Sequence, residues 1–298
     1  MNGDRIVISS VIRAISITQR PLVWLNVACL DAPLVAVAWQ WVFARPFHIT
    51  VSASARDSLF LTAWLIYLID RLADSLSLPA DSPKSLRQQF CSRHTRLWIG
   101  LIPVLATLDA IIVLSRLDRD LLLSGACLGG AAFVYLTLNY AFSQLWETIP
   151  LKEITVGFLF AAGTLLVLAP KFSLATSITG RSTVTFAALL FATLCSLNCI
   201  SIAVWERDLD RSQGKHSVAI RWPGEGFSAR IVCIVLAAAS LVLSIADHRL
   251  FALAVCLSVS AMLLAILHSV SIQRDERVAL ADLVLLTPVV LFFAELIL

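Results

Sequence analysis

Nine stretches of this chain are long and apolar enough to cross a lipid bilayer. They fall near residues 22–43, 57–76, 97–115, 121–142, 153–170, 183–205, 229–246, 250–270 and 279–298. A helix needs roughly 20 apolar residues to span the hydrocarbon core. In lipid every backbone polar group must be satisfied inside the spanning structure, which leaves only helices and closed barrels. These runs are too long and too uniformly apolar for barrel strands. The expected fold is all-α: a polytopic membrane protein, with residues 1–298 forming one transmembrane domain of about nine helices.

Composition excludes the competing classes. Only 14% of residues are charged and 59% are hydrophobic, whereas a soluble domain carries about 25% charged residues. A soluble enzyme, a disordered chain and a collagen-like chain are ruled out together. The net charge of +3 is too small to argue for nucleic acid. The seven cysteines are odd in number, form no CxxC and lie mostly in apolar runs, so they read as small core hydrophobes. Residues 4–20 carry Arg5, Arg13 and Arg20 and read as an amphipathic interfacial segment rather than a cleavable signal.

The loops fix an orientation. With nine alternating spans, 16 of the 23 Lys and Arg residues fall on the side of the N-terminus and seven on the other. Basic residues mark the cytoplasmic side. The expected topology therefore has a cytoplasmic N-terminus and an outer C-terminus, in a membrane of the inner or plasma type.

Two acidic clusters lie on that cytoplasmic side. One runs from Tyr67 to Asp74, with Asp70, Arg71 and Asp74. The other runs from Trp205 to Ser217, with Glu206, Arg207, Asp208, Asp210, Arg211, Gly214, Lys215 and His216. Asp70 and Asp74 are four apart and share a helix face, as do Glu206 and Asp210. Like charges at this spacing repel, and desolvation at a membrane edge adds to the cost. Carboxylates paired twice on one side of the membrane call for a cation. An oxygen-only ligand set without histidine or thiolate suits Mg²⁺. Interleaved Arg and Lys add ligands for anion oxygens, so the combination reads as a diphosphate site.

The segment from Glu206 to Ser217, followed by Ala219-Ile220, resembles the second Asp-rich motif of the UbiA-type prenyltransferase superfamily. Asp70-Arg71-x-x-Asp74 resembles the back half of that superfamily's first motif. Arg20-Pro21 with Trp24 at the first span, Leu151-Lys152-Glu153 before the fifth, and the nine-helix count agree. The resemblance implies a helical bundle around a central cavity, with both motifs at its cytoplasmic mouth. It implies a Mg²⁺-dependent enzyme that transfers a prenyl group from a prenyl diphosphate to a lipophilic or aromatic acceptor. Asp70, Asp74, Glu206 and Asp210 would be the catalytic metal ligands, with Asp208 in support. Arg71, Arg207, Lys215 and Lys152 would bind diphosphate. The leading Asn-Asp of the first motif falls on Ile66 and Tyr67 here, and Glu206 stands where Asp is usual. Tyr67, Asn198 and Asn26 are then expected to line the prenyl or acceptor cavity, Tyr67 through its hydroxyl or its ring face.

A second reading stays open: a lipid-binding or transport protein without catalysis on the same fold. Asp31, Asp109 and Glu295 lie within apolar spans, where ionisable groups are functional candidates by default. Asp31 precedes Pro33 and reads as the cap of a kink. Asp109 and Glu295 read as lying near the outer interface, and Arg277 and Asp282 as structural groups at the entry of the last span.

Overall fold

The computed structural model describes residues 21–79, 81–141, 151–175, 178–215, 218–221 and 225–297. The expected interfacial segment 4–20, together with His216 and Ser217, lies outside the described residues. Among those described there are helices and no strands. Fourteen α-helices run α1 (Pro21–Val27), α2 (Asp31–Ala44), α3 (Ala53–Leu76), α4 (Leu86–Arg93), α5 (Thr95–Arg116), α6 (Arg119–Ala141), α7 (Leu151–Leu165), α8 (Ala169–Ala175), α9 (Ile178–Ser212), α10 (Val218–Arg221), α11 (Glu225–Ala246), α12 (Phe251–Leu267), α13 (Arg274–Leu283) and α14 (Thr287–Ile297).

Six segments among the described residues are long and apolar enough to cross a membrane: Thr95–Arg116, Arg119–Leu138, Gly180–Ser212, Ser228–Ala246, His248–Leu267 and Arg274–Leu296. Each overlaps one of the expected spans. The other three expected spans take a different form. Residues 22–43 are split between α1 and α2. Residues 57–76 fall in α3, which has 24 residues but carries Arg56, Asp57, Asp70, Arg71 and Asp74. Residues 153–170 hold α7, of only 15 residues.

The outer surface is what a bilayer requires. Leu114, Leu123, Phe133, Val290 and Ile245 are largely exposed. Apolar side chains in such numbers on a water-facing surface would drive association; against lipid tails they cost nothing. The structure is that of a polytopic helical membrane protein.

The core lies where α2, α7, α9, α11 and α12 meet. Trp39, Phe43, Phe191, Leu194, Leu253, Leu257 and Leu264 are fully buried there, and the Trp39 and Phe191 rings stack at 4.6 Å. The α7–α9 crossing is close. A Cβ on Gly157 would sit 2.7 Å from Ser196 Cα, so only glycine allows this approach. A second, smaller cluster of Leu68, Cys91, Trp98 and Leu105 joins α3 to α4 and α5.

Two helices are broken. Between α1 and α2 the chain turns at Ala28–Leu30, with Cys29 left-handed at φ 58°. Between α13 and α14 a 3-10 turn spans Val284–Leu286. The breaks face each other, since α13 packs on α1 and α2. Their freed carbonyls find side-chain donors: Trp39 Nε1 donates to Leu285 O at 2.7 Å, and Ser260 Oγ to Val284 O at 2.8 Å.

Two intramembrane acids have partners that the sequence did not announce. Asp109 is buried, not solvated at an interface as expected. It accepts from Ser58 Oγ at 2.8 Å and Thr62 Oγ1 at 2.5 Å, tying α5 to α3. Such interhelical polar contacts hold helices together where no hydrophobic force acts between them. Glu295 pairs with Arg45, joining α14 to the end of α2.

Candidate functional site

The first acidic cluster ends α3. Its helical register stacks Tyr67 and Arg71 four residues apart: Arg71 Nη2 donates to the Tyr67 hydroxyl at 2.5 Å, and its Cζ lies 4.7 Å from the ring centroid. Asp74 follows one turn later, on the same face as Asp70. Both are half-buried.

The second cluster ends α9. At 35 residues this helix is about 50 Å long at 1.5 Å per residue, well beyond the roughly 30 Å of a hydrocarbon core. Its last turns carry Glu206 to Ser212. Gly214 then adopts φ 69°, a left-handed turn that glycine makes without steric cost. Lys215 N bonds back to Asp210 O at 2.9 Å, which closes the helix end and turns the Lys215 side chain toward α3.

The short helix α4 bridges the two clusters. Ser85 and Gln88 form a capping box at its start, satisfying donors that would otherwise be orphaned. The same first turn presents Arg87 and Gln88 inward. Arg87 pairs with Glu206, and both side chains are nearly buried. Gln88 Nε2 donates to Asp74 Oδ2 at 3.1 Å. Gln213 Nε2 donates to Gln88 Oε1 at 2.9 Å and Pro83 O at 2.7 Å. Lys215 Nζ bonds Asp74 Oδ1. The two clusters, far apart in sequence, meet through α4 and the Lys215–Asp74 pair.

Where the clusters meet, Asp74 and Glu206 lie close enough for their charges to act on Asp210, as do those of Lys215 and Lys152. Asp208 is not drawn in: its side chain is 85% exposed and lies 3.8 Å from Arg207 and 4.0 Å from Arg211. Among the described residues no three His, Cys, Asp or Glu side chains are arranged to hold a metal ion. Asp74 and Glu206 instead carry Lys215 and Arg87.

Donors remain in excess at the mouth. Arg71 Nε and Arg87 Nε and Nη1 are buried without a hydrogen-bond partner, as is Arg207 Nε beside the exposed Asp208. A buried guanidinium N–H left unmade costs on the order of 1–3 kcal/mol or more, and such donors suit anion oxygens. Beside it, between α1 and α4, a cavity of about 320 Å³ is lined by Trp24, Val27, Phe90, Arg93 and His94. Burial pushes the Cys91 thiol above its usual range, opposed in part by Arg71, which makes it a poor nucleophile.

Asn198 and Asn26 stand deeper. Neither touches the motif carboxylates. Asn198 Nδ2 donates to Asp282 Oδ1 at 2.8 Å, and Asn26 Nδ2 bridges Asp31 Oδ2 and Asp282 Oδ2 at 2.7 and 2.8 Å. Asp282, read from sequence as a group at a helix entry, is thus the centre of a buried polar cluster. Arg87, Gln88 and Gln213 were missed as well. The Ser85-x-x-Gln88 spacing, a capping-box signature, is the signal that could have found α4.

No family model matches the chain, and neither does any curated protein or solved structure.

Proposed function

We propose that the chain is a Mg²⁺-dependent membrane prenyltransferase of the UbiA type. It moves a prenyl group from a prenyl diphosphate to a lipophilic or aromatic acceptor. On this reading nine spans cross the membrane, three of them as the split, charged or short segments at 22–43, 57–76 and 153–170, and the N-terminus is cytoplasmic. The observation that carries the proposal is the meeting of the two clusters through Lys215–Asp74 and Arg87–Glu206, amid buried guanidinium groups with unused donors.

The donor set fits the metal by its chemistry: Asp70, Asp74, Glu206 and Asp210 offer only carboxylate oxygens, the hard ligands that Mg²⁺ takes together with substrate phosphates. Asp208 would support them from the exposed side. When bound, the ion supplies positive charge against the leaving diphosphate. Arg71, Arg87, Arg207 and Lys215, with Lys152 behind, bind the diphosphate oxygens and orient the leaving group. Arg87 and Lys215 are then shared between carboxylate and phosphate. In the transfer the allylic C1–O bond breaks, its electron pair leaves with diphosphate, a bond forms from the acceptor to C1, and the acceptor loses a proton. Apolar walls keep water from the cationic carbon, and Tyr67, beside Arg71, offers its ring face to that carbon.

The test is diphosphate release by the purified protein in detergent, given prenyl diphosphates of several lengths and a membrane-lipid extract, with and without Mg²⁺. Release that needs Mg²⁺ and vanishes in Asp70→Ala and Asp210→Ala supports the reading. The binding or transport alternative is favoured by one feature, the facing breaks of the first and last helices, since broken helices with buried acids are a transporter arrangement. Mg²⁺-independent, saturable uptake of a lipophilic substrate into vesicles without diphosphate release would select it.

A further inference from the structure

The short helix α4 has two faces. Arg87, Gln88 and Cys91 turn toward the acidic clusters, where Arg87 meets Glu206 and Gln88 meets Asp74. Leu86, Phe90 and Arg93 share the opposite face, since residues three and four apart are neighbours on a helix. That face looks onto α1. With Trp24 and Val27 it lines the cavity of about 320 Å³.

The cavity has an apolar wall and a basic rim. The Trp24 indole meets the Phe90 ring edge to face at 5.6 Å. The His94 ring packs on Phe90 at 4.2 Å, its Nδ1 3.0 Å from Phe90 O. Arg93 is exposed, and its guanidinium makes neither a hydrogen bond nor an ion pair among the described residues. No described carboxylate lines the cavity. The surrounding segment is base-rich as well: residues 77–96 hold four Lys and Arg against one acid, Asp81. Thr95 then opens α5, one of the membrane-crossing segments, so Arg93 and His94 stand where the chain enters a span. Bases beside a membrane helix, with an indole next to them, suit anionic headgroups above acyl chains.

We propose that the cavity between α1 and α4 binds an anionic phospholipid. Its phosphate lies on Arg93, whose guanidinium offers paired N–H donors, with His94 beside it. The first part of one acyl chain lies against Trp24, Val27 and Phe90. The volume is at the lower end of ligand pockets, which suits part of a chain and not a whole lipid. A zwitterionic lipid brings the same chain and phosphate, but its headgroup cation cancels the charge that the basic segment attracts. Lipid on this face steadies α4, and with it the Arg87–Glu206 contact on the other. The proposal does not rest on the prenyltransferase reading.

The experiment is thermal unfolding of the purified full chain in detergent, with phosphatidylglycerol, phosphatidylcholine or inorganic phosphate added at constant ionic strength. The expected result is a saturable rise in Tm with phosphatidylglycerol, on the order of 5 °C at a hundredfold excess over Kd. The rise is absent with inorganic phosphate and much smaller with phosphatidylcholine. It is lost in Arg93→Gln and kept in Arg116→Gln, at the far end of α5. Equal rises with the two lipids, a rise with inorganic phosphate alone, an undiminished response in Arg93→Gln, or equal loss in both variants overturns the proposal. A phosphatidylglycerol with a photoreactive group high on one chain then locates the site. It should label α1 and α4 and be displaced by unlabelled phosphatidylglycerol. A cavity filled by another part of the chain or by a second copy would leave both helices unlabelled, which overturns the proposal too.

Discussion

Lys215, on the turn that follows α9, bonds Asp74 near the end of α3 across 141 positions of sequence. This contact closes the mouth between the two acidic clusters, and both side chains are 27% exposed. At such exposure an ion pair contributes at most about 1 kcal/mol. Lys215→Met should therefore lower Tm by no more than a few degrees. If Lys215 also binds diphosphate, the same change should weaken prenyl diphosphate binding by about tenfold, the equivalent of about 1.4 kcal/mol. Binding titration and thermal unfolding on one preparation separate the two effects.

The Arg87–Glu206 pair behaves differently because it is nearly buried. Removing one partner of a buried pair typically costs about 3–5 kcal/mol, since the other charge is left uncompensated. Arg87→Met should lower Tm markedly, and Arg87→Met with Glu206→Gln should recover much of the loss. A double variant no more stable than the single one would show that the pair is not what holds α4 to α9.

Gly157 sets the α7–α9 distance. Gly157→Ala places a methyl against the Ser196 backbone, an overpacking cost of about 1–3 kcal/mol. The methyl meets the Ser196 backbone as well as its Oγ, so Ser196→Ala should give at most partial rescue. Full rescue in a thermal unfolding series would refute the close backbone crossing.

Proton uptake should destabilise the fold through His268. This side chain, just past α12, shares a hydrogen bond of 2.9 Å with Ser201 Oγ and packs on Trp205. Burial, with Arg277 and Arg230 nearby, holds its pKa down to about 4 from an ordinary 6.5. A base with a lowered folded pKa takes up protons first in the unfolded chain. Its contribution is complete above pH 6.5 and is lost as pH falls toward 4. Tm should drop across that window, and His268→Gln should flatten the drop. An unchanged profile in the variant would rule His268 out.

How far the sequence predicts this molecule depends on which force dominates each element. Apolar length identified the six segments that stand as membrane-crossing helices, because burial in lipid is a local, additive property. Helix register put Asp70 with Asp74 and Glu206 with Asp210. The kink expected at Asp31 and Pro33 is present as the break before α2, but the left-handed Cys29 that makes it was hidden, because a left-handed non-glycine residue has no sequence signature. It is held by tertiary bonds such as Trp64 Nε1 to Ala28 O at 3.1 Å. The partners of Asp109 and Asp282 were hidden for the same reason: Ser58, Asn198 and Asn26 reach them across helices, and contacts between helices that are apolar all round leave no periodic trace. Arg87 was counted only as a loop charge, and its role follows from the fold of the 77–96 segment.

The central claim is that the two acidic clusters form one diphosphate site. Titrating a prenyl diphosphate onto the purified protein, with and without Mg²⁺, tests it most directly. The account predicts saturable binding strengthened by Mg²⁺. Asp74→Asn and Asp210→Asn should each remove the Mg²⁺ effect, and Arg87→Met should weaken binding at every Mg²⁺ concentration. No binding, or binding indifferent both to Mg²⁺ and to changes in either cluster, would contradict it.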